Sequence, residues 1–241
     1  GGRRVTKKKT GTSTEDMDVI AGATSHVLGT SAGSGDPSPF TARGVVRGIE
    51  AAVEFQLDRT DLEGLHVAIQ GVGHVGYHVA RLLAARGVNL TVADTSDARV
   101  ERVASEFGAT VVGTDDILFV PCDVLAPCAL GAVFDDTTVP RLQTRIVAGA
   151  ANNVLLDDAH GTELFKRGIL YAPDYAVNAG GLINVATEYR DAGYDEAVAT
   201  QKVDGIYDTL RGIFERAHHE DVPTHLVADR IVEERIFDLA S

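Results

Sequence analysis

The chain has 241 residues, of which 44% are hydrophobic and 24% charged. That is long enough to bury a sizeable core and too apolar for a disordered chain. Acidic residues outnumber basic ones by 35 to 22, a net charge of −13, which disfavours non-specific contact with a nucleic-acid backbone.

The start, "GGRRVTKKKTG", is basic but leads into no apolar run, so it is not a secretory signal. It carries no initiating methionine, and a segment upstream is expected to be missing. The run Lys7 to Lys9 reads as solvated. No stretch reaches membrane-spanning length, and a cytoplasmic protein is expected. Met17, Ile20, Thr24 and Val27 recur at helical spacing behind a Ser13 or Thr14 cap. "TSAGSGDPSPF" is a loop of small residues, with Pro39 near the first turn of a helix that ends before "DRTDLEG". "HVAIQ" is a short apolar strand, followed by a glycine loop and a helix from about Val75 to Ala85. "VNLTVAD" is a second strand ending at Asp94, "SDARVERVASEFG" a helix and "ATVV" a third strand. A short helix or turn at "DDILFVP" leads to a fourth strand in "CDVLAPCA". "TVPRLQT" is short and helical, "RIVAGAAN" a fifth strand, "DDAHGTELFKRG" a helix and "ILYAPDYAVN" a sixth strand. From "GGLINVATEY" onward the chain is helical. This alternation, with strands too apolar to face water, predicts an α/β, doubly wound, Rossmann-like parallel sheet with a helical lead-in and C-terminal helices.

The stretch "QGVGHVG" carries the first chemistry. Gly71, Gly73 and Gly76 form G-x-G-x-x-G between a strand and a helix. Gly71 permits the tight turn, Gly73 lets the backbone approach a pyrophosphate, and Gly76 lets helix and strand pack closely. Val72, His74 and Val75 complete the loop, and the helix start offers free N–H groups to phosphates. Asp94 lies 23 residues after Gly71, where a carboxylate accepts from both ribose hydroxyls of an adenosine half and repels a 2′-phosphate. The predicted cofactor is NAD rather than NADP; the competing reading is an α/β domain whose glycines serve packing alone. His74 and His78 are four apart, a metal-compatible spacing, but no third ligand follows and no metal is predicted. His160, His218, His219 and His225 sit in polar stretches and are expected at the surface. Cys122 and Cys128 make neither a disulfide framework nor a metal set and read as reduced thiols.

The segments "GSGDPSPFTARGV", "QGVGHVG", "CDVLAPCALGA", "VAGAANN" and "LYAPDYAVNAGGLINVA" together resemble the bacterial branch of the glutamate/leucine/phenylalanine/valine dehydrogenases. The resemblance is collinear over nearly the whole chain. It implies NAD-dependent oxidative deamination of an L-amino acid to a 2-oxo acid and ammonium, with the amino acid or oxo acid as the small-molecule partner; a homo-oligomer stays open, because the family's subunit contacts lie largely in the upstream domain. It implies that Thr41 contacts the nicotinamide carboxamide. Asp123 and Ala126 would line the cofactor cleft after the fourth strand. Ala150 and Asn152 would pack on or bond to the nicotinamide ribose, and Asn178 would close the site beside it. Asn153 would reach the bound amino acid, and Leu182 and Val185 would line its side-chain pocket. Taken singly, the asparagines could cap a turn and Thr41 a helix. Leu182 and Val185 offer no charge for a second carboxylate, which favours leucine, valine or phenylalanine.

The resemblance also marks departures. The family's substrate-binding and catalytic lysines have no counterpart in residues 1–40. Lys9 stands in "TKKKTGT" where the family has a catalytic aspartate, and a charged lysine cannot accept a hydrogen bond. No catalytic residue is therefore assigned. The expected organisation is a lead-in remnant of the substrate-domain junction at 1–40, a dinucleotide-binding domain at 41–187 and a C-terminal helical segment at 188–241. A non-catalytic NAD-binding module and a helix-rich interaction protein stay open as alternatives.

Overall fold

The computed structural model describes residues 6–7, 13–24, 26–129, 131–189 and 193–240, so Lys9 lies outside the described residues. The lead-in holds β1 (Thr6–Lys7), α1 (Thr14–Ala21) and β2 (Val27–Leu28), with β1 and β2 paired in parallel. Ser13 caps α1 reciprocally: its hydroxyl accepts from the Asp16 N–H at 3.1 Å, and the Asp16 carboxylate accepts from the Ser13 N–H at 2.7 Å. Sequence periodicity carried this helix on to Val27. Instead the helix closes at Gly22 and Val27 turns extended to pair with Thr6. A ladder to a strand so far upstream leaves no local signal in the sequence.

α2 (Ser38–Leu57) follows, with Pro39 in its first turn, where a missing N–H costs nothing. Next come β3 (His66–Gln70), α3 (His74–Ala84), β4 (Asn89–Ala93), α4 (Asp97–Phe107) and β5 (Thr110–Val111). The second half supplies β6 (Val124–Pro127), β7 (Ile146–Val147), α5 (Asp158–Lys166) and β8 (Leu170–Tyr171), with short 3-10 turns at 117–119 and 139–141. The strands form one six-stranded sheet in the order β5-β4-β3-β6-β7-β8, parallel at every pairing. The chain begins at the centre and winds outward both ways, so the order reverses between β3 and β6. Such a reversal opens a crevice at the carboxyl ends of the strands.

The sheet is buried on both faces, which is why its strands read as continuous apolar runs. Val67, Ile69, Val124 and Ala126 point into a core shared with α2 and α3. Ala68 and Leu125 point into the opposite core, with Ile117, Phe134 and Leu164. The tail folds as α6 (Asp174–Val177), α7 (Gly180–Ala186), α8 (Glu196–Asp204), α9 (Ile206–Glu220) and α10 (Thr224–Ala240). Gly205 divides α8 from α9. Leu210, Ile213 and Phe214 of α9, and Val227 and Ala228 of α10, join the first core, so the helical tail packs on the sheet domain. Two of the four histidines expected at the surface are interior: His160 and His225 are buried, while His218 and His219 are exposed. The His225 ring packs against Gly161 of α5, and His160 is held by the Asp136 side chain and the Asp157 N–H. No helix among the described residues is long and apolar enough to cross a membrane.

Candidate functional site

The glycine loop leaves the carboxyl end of β3 at the switch point. Gly71 sits at φ +90°, and a Cβ there would fall 2.9 Å from the Ala129 backbone, so the turn demands glycine for conformation and for space. Its N–H donates to the Ala93 carbonyl at 2.7 Å, which anchors the loop to β4. A Cβ on Gly76 would stand 2.0 Å from the Gly71 carbonyl oxygen, which makes close packing of helix and turn the reason for that glycine. Gly73 differs. A Cβ there would meet only the Arg99 guanidinium, at 3.9 Å, so the space beside it is open. No side chain caps α3 and no acid lies in its first turn. An open glycine before an uncapped helix start suits an anionic diphosphate. Val72 is buried, Val75 half-buried and His74 exposed at the loop's rim.

Asp94 follows β4, with its side chain only 7% exposed. One carboxylate oxygen accepts from the Val72 N–H at 2.9 Å and the other from the Ser96 N–H at 3.0 Å. Asp94 therefore ties the glycine loop to the start of α4. Arg99 Nη1 stands 3.5 Å from it. One turn of α4 brings Arg99 back over Asp94 and Gly73.

Across the switch point a second group gathers at the ends of β7 and β8. The Asn178 amide donates to the Ala150 carbonyl at 3.3 Å and to the Asn152 side-chain oxygen at 2.7 Å. Asn153 is exposed in the left-handed region at φ 52°. Its loop is held from below by Asp174, a buried carboxylate that accepts from the Val154 N–H at 3.1 Å. Asp174 was not singled out in the sequence, although "APDYAVN" contains it. Burial and the neighbouring Asp174 also push the Tyr171 phenol up from its ordinary value, so it stays protonated.

Thr41 lies in the first turn of α2, and its hydroxyl donates to the Pro37 carbonyl at 3.0 Å. α7 crosses it at close range. A Cβ on Gly181 would sit 2.4 Å from Thr41 Oγ1, and one on Gly180 would sit 2.2 Å from the Phe40 carbonyl oxygen. The pair of glycines after Asn178 thus brings Thr41, Asn178 and α7 to one end of the crevice. On α7, Leu182 is exposed and Val185 is buried, so of the two predicted pocket residues Leu182 is the one with a surface to offer.

Two predicted residues fall elsewhere. Asp123 precedes β6 at the opposite, amino edge of the sheet. Its carboxylate accepts from the His66 N–H at 2.8 Å, at the beginning of β3 rather than its end. Ala126 is fully buried within β6, beside Ile69. The cleft residues after this strand are Cys128 and Ala129, which touch Gly76 and Gly71. Burial pushes the Cys128 thiol up to about 12, so it is an inert wall rather than a nucleophile. Burial and the nearby Arg81 hold His78 below the usual imidazole value, and no group of three or more potential ligands surrounds a metal position among the described residues.

Residues 88–228 match the sequence profile of the glutamate/leucine/phenylalanine/valine dehydrogenases, and residues 42–129 match that of the NAD binding domain of D-isomer specific 2-hydroxyacid dehydrogenases. The chain is 48% identical over 238 residues to the leucine dehydrogenase of Thermoactinomyces intermedius, covering 98% of this chain and 64% of that protein. It is 39% identical to the valine dehydrogenase of Streptomyces virginiae, covering 99% of this chain and 68% of the relative. The crystal structure of the L-tryptophan dehydrogenase from Nostoc punctiforme superposes with a TM-score of 0.86 at 42% identity, over 97% of this chain and 67% of that one. The chain thus spans about two thirds of the relatives it matches, and it belongs to the glutamate/leucine/phenylalanine/valine dehydrogenase family.

Proposed function

We propose that this chain is the cofactor half of an NAD-dependent dehydrogenase that oxidatively deaminates an apolar L-amino acid to its 2-oxo acid and ammonium. One observation carries the reading. The glycine loop with Asp94, and the Ala150–Asn152–Asn178 cluster with Thr41, converge at the carboxyl ends of the strands from the two sides of the switch point. NAD, when bound, supplies the hydride acceptor.

The residues do the holding. Free N–H groups at the start of α3 receive the diphosphate over Gly73. Asp94 accepts from the adenosine ribose hydroxyls, and its charge repels a 2′-phosphate. Thr41 and Asn178 orient the carboxamide and ribose of the other half with neutral dipoles, adding no charge beside the ring. Asn153 receives the amino acid, and Leu182 gives its side chain an apolar surface. Close alignment of donor and acceptor is the main demand of this chemistry, and rigid loops at strand ends meet it.

The leucine, valine and tryptophan specificities in the names of the relatives support an apolar substrate. Residues 41–187 form the dinucleotide-binding unit in this reading, and the protein acts in the cytoplasm as a homo-oligomer. Assay of the full-length protein with NAD and L-leucine, L-valine, L-phenylalanine, L-tryptophan or L-glutamate tests it, following reduced nicotinamide. Turnover of an apolar substrate is expected; turnover of L-glutamate alone contradicts it. Lys9 in place of an aspartate favours a second reading, a non-catalytic NAD-binding module. NADH binding without turnover of any amino acid selects that one.

A further inference from the structure

Glu188, just after α7, reaches back to the lead-in loop. Its Oε1 accepts from the Gly29 N–H at 3.0 Å and the Ser34 N–H at 2.9 Å, and also from the Ser34 hydroxyl. A Cβ on Gly33 would lie 3.0 Å from the carboxyl atoms, so the loop wraps the carboxylate without slack. One helical turn earlier, the fully buried Asn184 donates to the Ser34 carbonyl at 3.2 Å, and the Tyr194 hydroxyl donates to its side-chain oxygen at 2.8 Å. The N–H, hydroxyl and carbonyl of Ser34 are therefore all taken by two side chains at i and i+4.

What hangs from this grip is the entrance to α2. Two residues on, the Asp36 carboxylate accepts from the Ser38 N–H at 3.1 Å and its hydroxyl at 2.8 Å. The Thr41 hydroxyl then bonds to Pro37. In the other direction, the chain runs from Glu188 back through α7 to Leu182 and Asn178. We propose that Glu188, together with Asn184, is a positioning residue of this site: by clamping Ser34 it fixes Thr41 against Gly180 and Gly181, between Asn178 and Leu182 in the chain, at the nicotinamide end of the crevice. The proposal rests on the reading of that end given above. The adenosine end, built on Gly71, Gly73 and Asp94, has no part in the clamp.

The test uses the full-length protein and compares Glu188→Ala, Glu188→Gln and Ser34→Ala with wild type. Measurements are kcat and KM for whichever of L-leucine, L-valine, L-phenylalanine and L-tryptophan the wild type oxidises, and the dissociation constants of NADH and of ADP-ribose, which engages only the adenosine end. Glu188→Ala should lower kcat by about ten- to a hundredfold, the cost of a small misplacement in a near-attack geometry, and leave ADP-ribose affinity at the wild-type value. Glu188→Gln keeps an acceptor oxygen and should recover most of the loss, and Ser34→Ala should fall between. Wild-type kcat in Glu188→Ala, or equal losses of ADP-ribose and NADH affinity, would overturn the proposal. If Glu188→Ala fails to fold, Ser34→Ala decides, and wild-type kcat there overturns it. A wild-type protein without turnover contradicts the functional reading instead. In that case amide exchange decides the clamp: faster exchange over residues 36–41 in Ser34→Ala, with β3 and β4 still protected, supports it, and unchanged exchange refutes it.

Discussion

Asp94 holds the glycine loop through the Val72 N–H and the start of α4 through the Ser96 N–H, and in the proposed function it is also the acceptor offered to the ribose. Its neutral replacement should therefore be felt twice. Asp94→Asn weakens charge-assisted bonds worth about 1.5–3 kcal/mol each, so NADH affinity should fall at least about tenfold. Removing the charge also removes repulsion of a 2′-phosphate, so preference for NADH over NADPH should narrow. Calorimetric titration of both nucleotides against both proteins checks this, and an unchanged preference would count against Asp94 as the discriminator. The placement of the glycines and Asp94 was legible in the sequence because it is set locally: a strand end, a turn, a helix start and a fixed spacing to the next strand end. Asp123 was misplaced because "CDVLAP" does not show which residue begins the strand, and a shift of a few residues moves a side chain from one edge of the sheet to the other.

Between elements, packing takes over from pattern. The stretch Asn178–Gly181 was readable as a motif, but the reason for its glycines is the Phe40 carbonyl oxygen and Thr41 hydroxyl pressed against α7. Such contacts join residues far apart in sequence and have no period. Gly180→Ala puts a methyl against backbone that cannot rotate away. It should destabilise the fold by about 1–3 kcal/mol, as overpacking does, and lower nicotinamide-end affinity; a denaturant midpoint equal to wild type would show that α7 can shift freely. The α5–α10 contact supplies a pH-dependent counterpart. The His225 ring is buried against Gly161, whose Cβ would lie 2.5 Å from it. Burial holds its pKa below the ordinary imidazole value, although Asp158 and Asp229 pull the other way. The folded protein thus keeps His225 neutral while the unfolded chain takes up a proton below about pH 6.5. Its contribution is complete above that value and is lost as pH falls through it toward the folded pKa. Thermal melts should show stability declining from about pH 7.5 to about 5.5, with a shallower decline in His225→Asn. Equal slopes would place the pH dependence elsewhere.

At the scale of the whole molecule, the parallel sheet followed from strands too apolar to face water and from their alternation with helices. The tail packs on α2 through Leu210, beside Gly48, and Phe214, whose ring lies 5.7 Å from that of Phe55. The lead-in was the least legible part, because β1 and β2 exist only through each other and the loop between Gly29 and Gly35 takes its shape from Glu188, more than 150 residues away. In the proposed function, an adenosine end and a nicotinamide end lie on opposite sides of one switch point. The direct test is a calorimetric titration of the 241-residue chain with NADH and with NADPH. Saturable NADH binding at one site per chain, with NADPH weaker by at least about tenfold, is the predicted result; absence of saturable NADH binding, or equal affinity for the two, would contradict it.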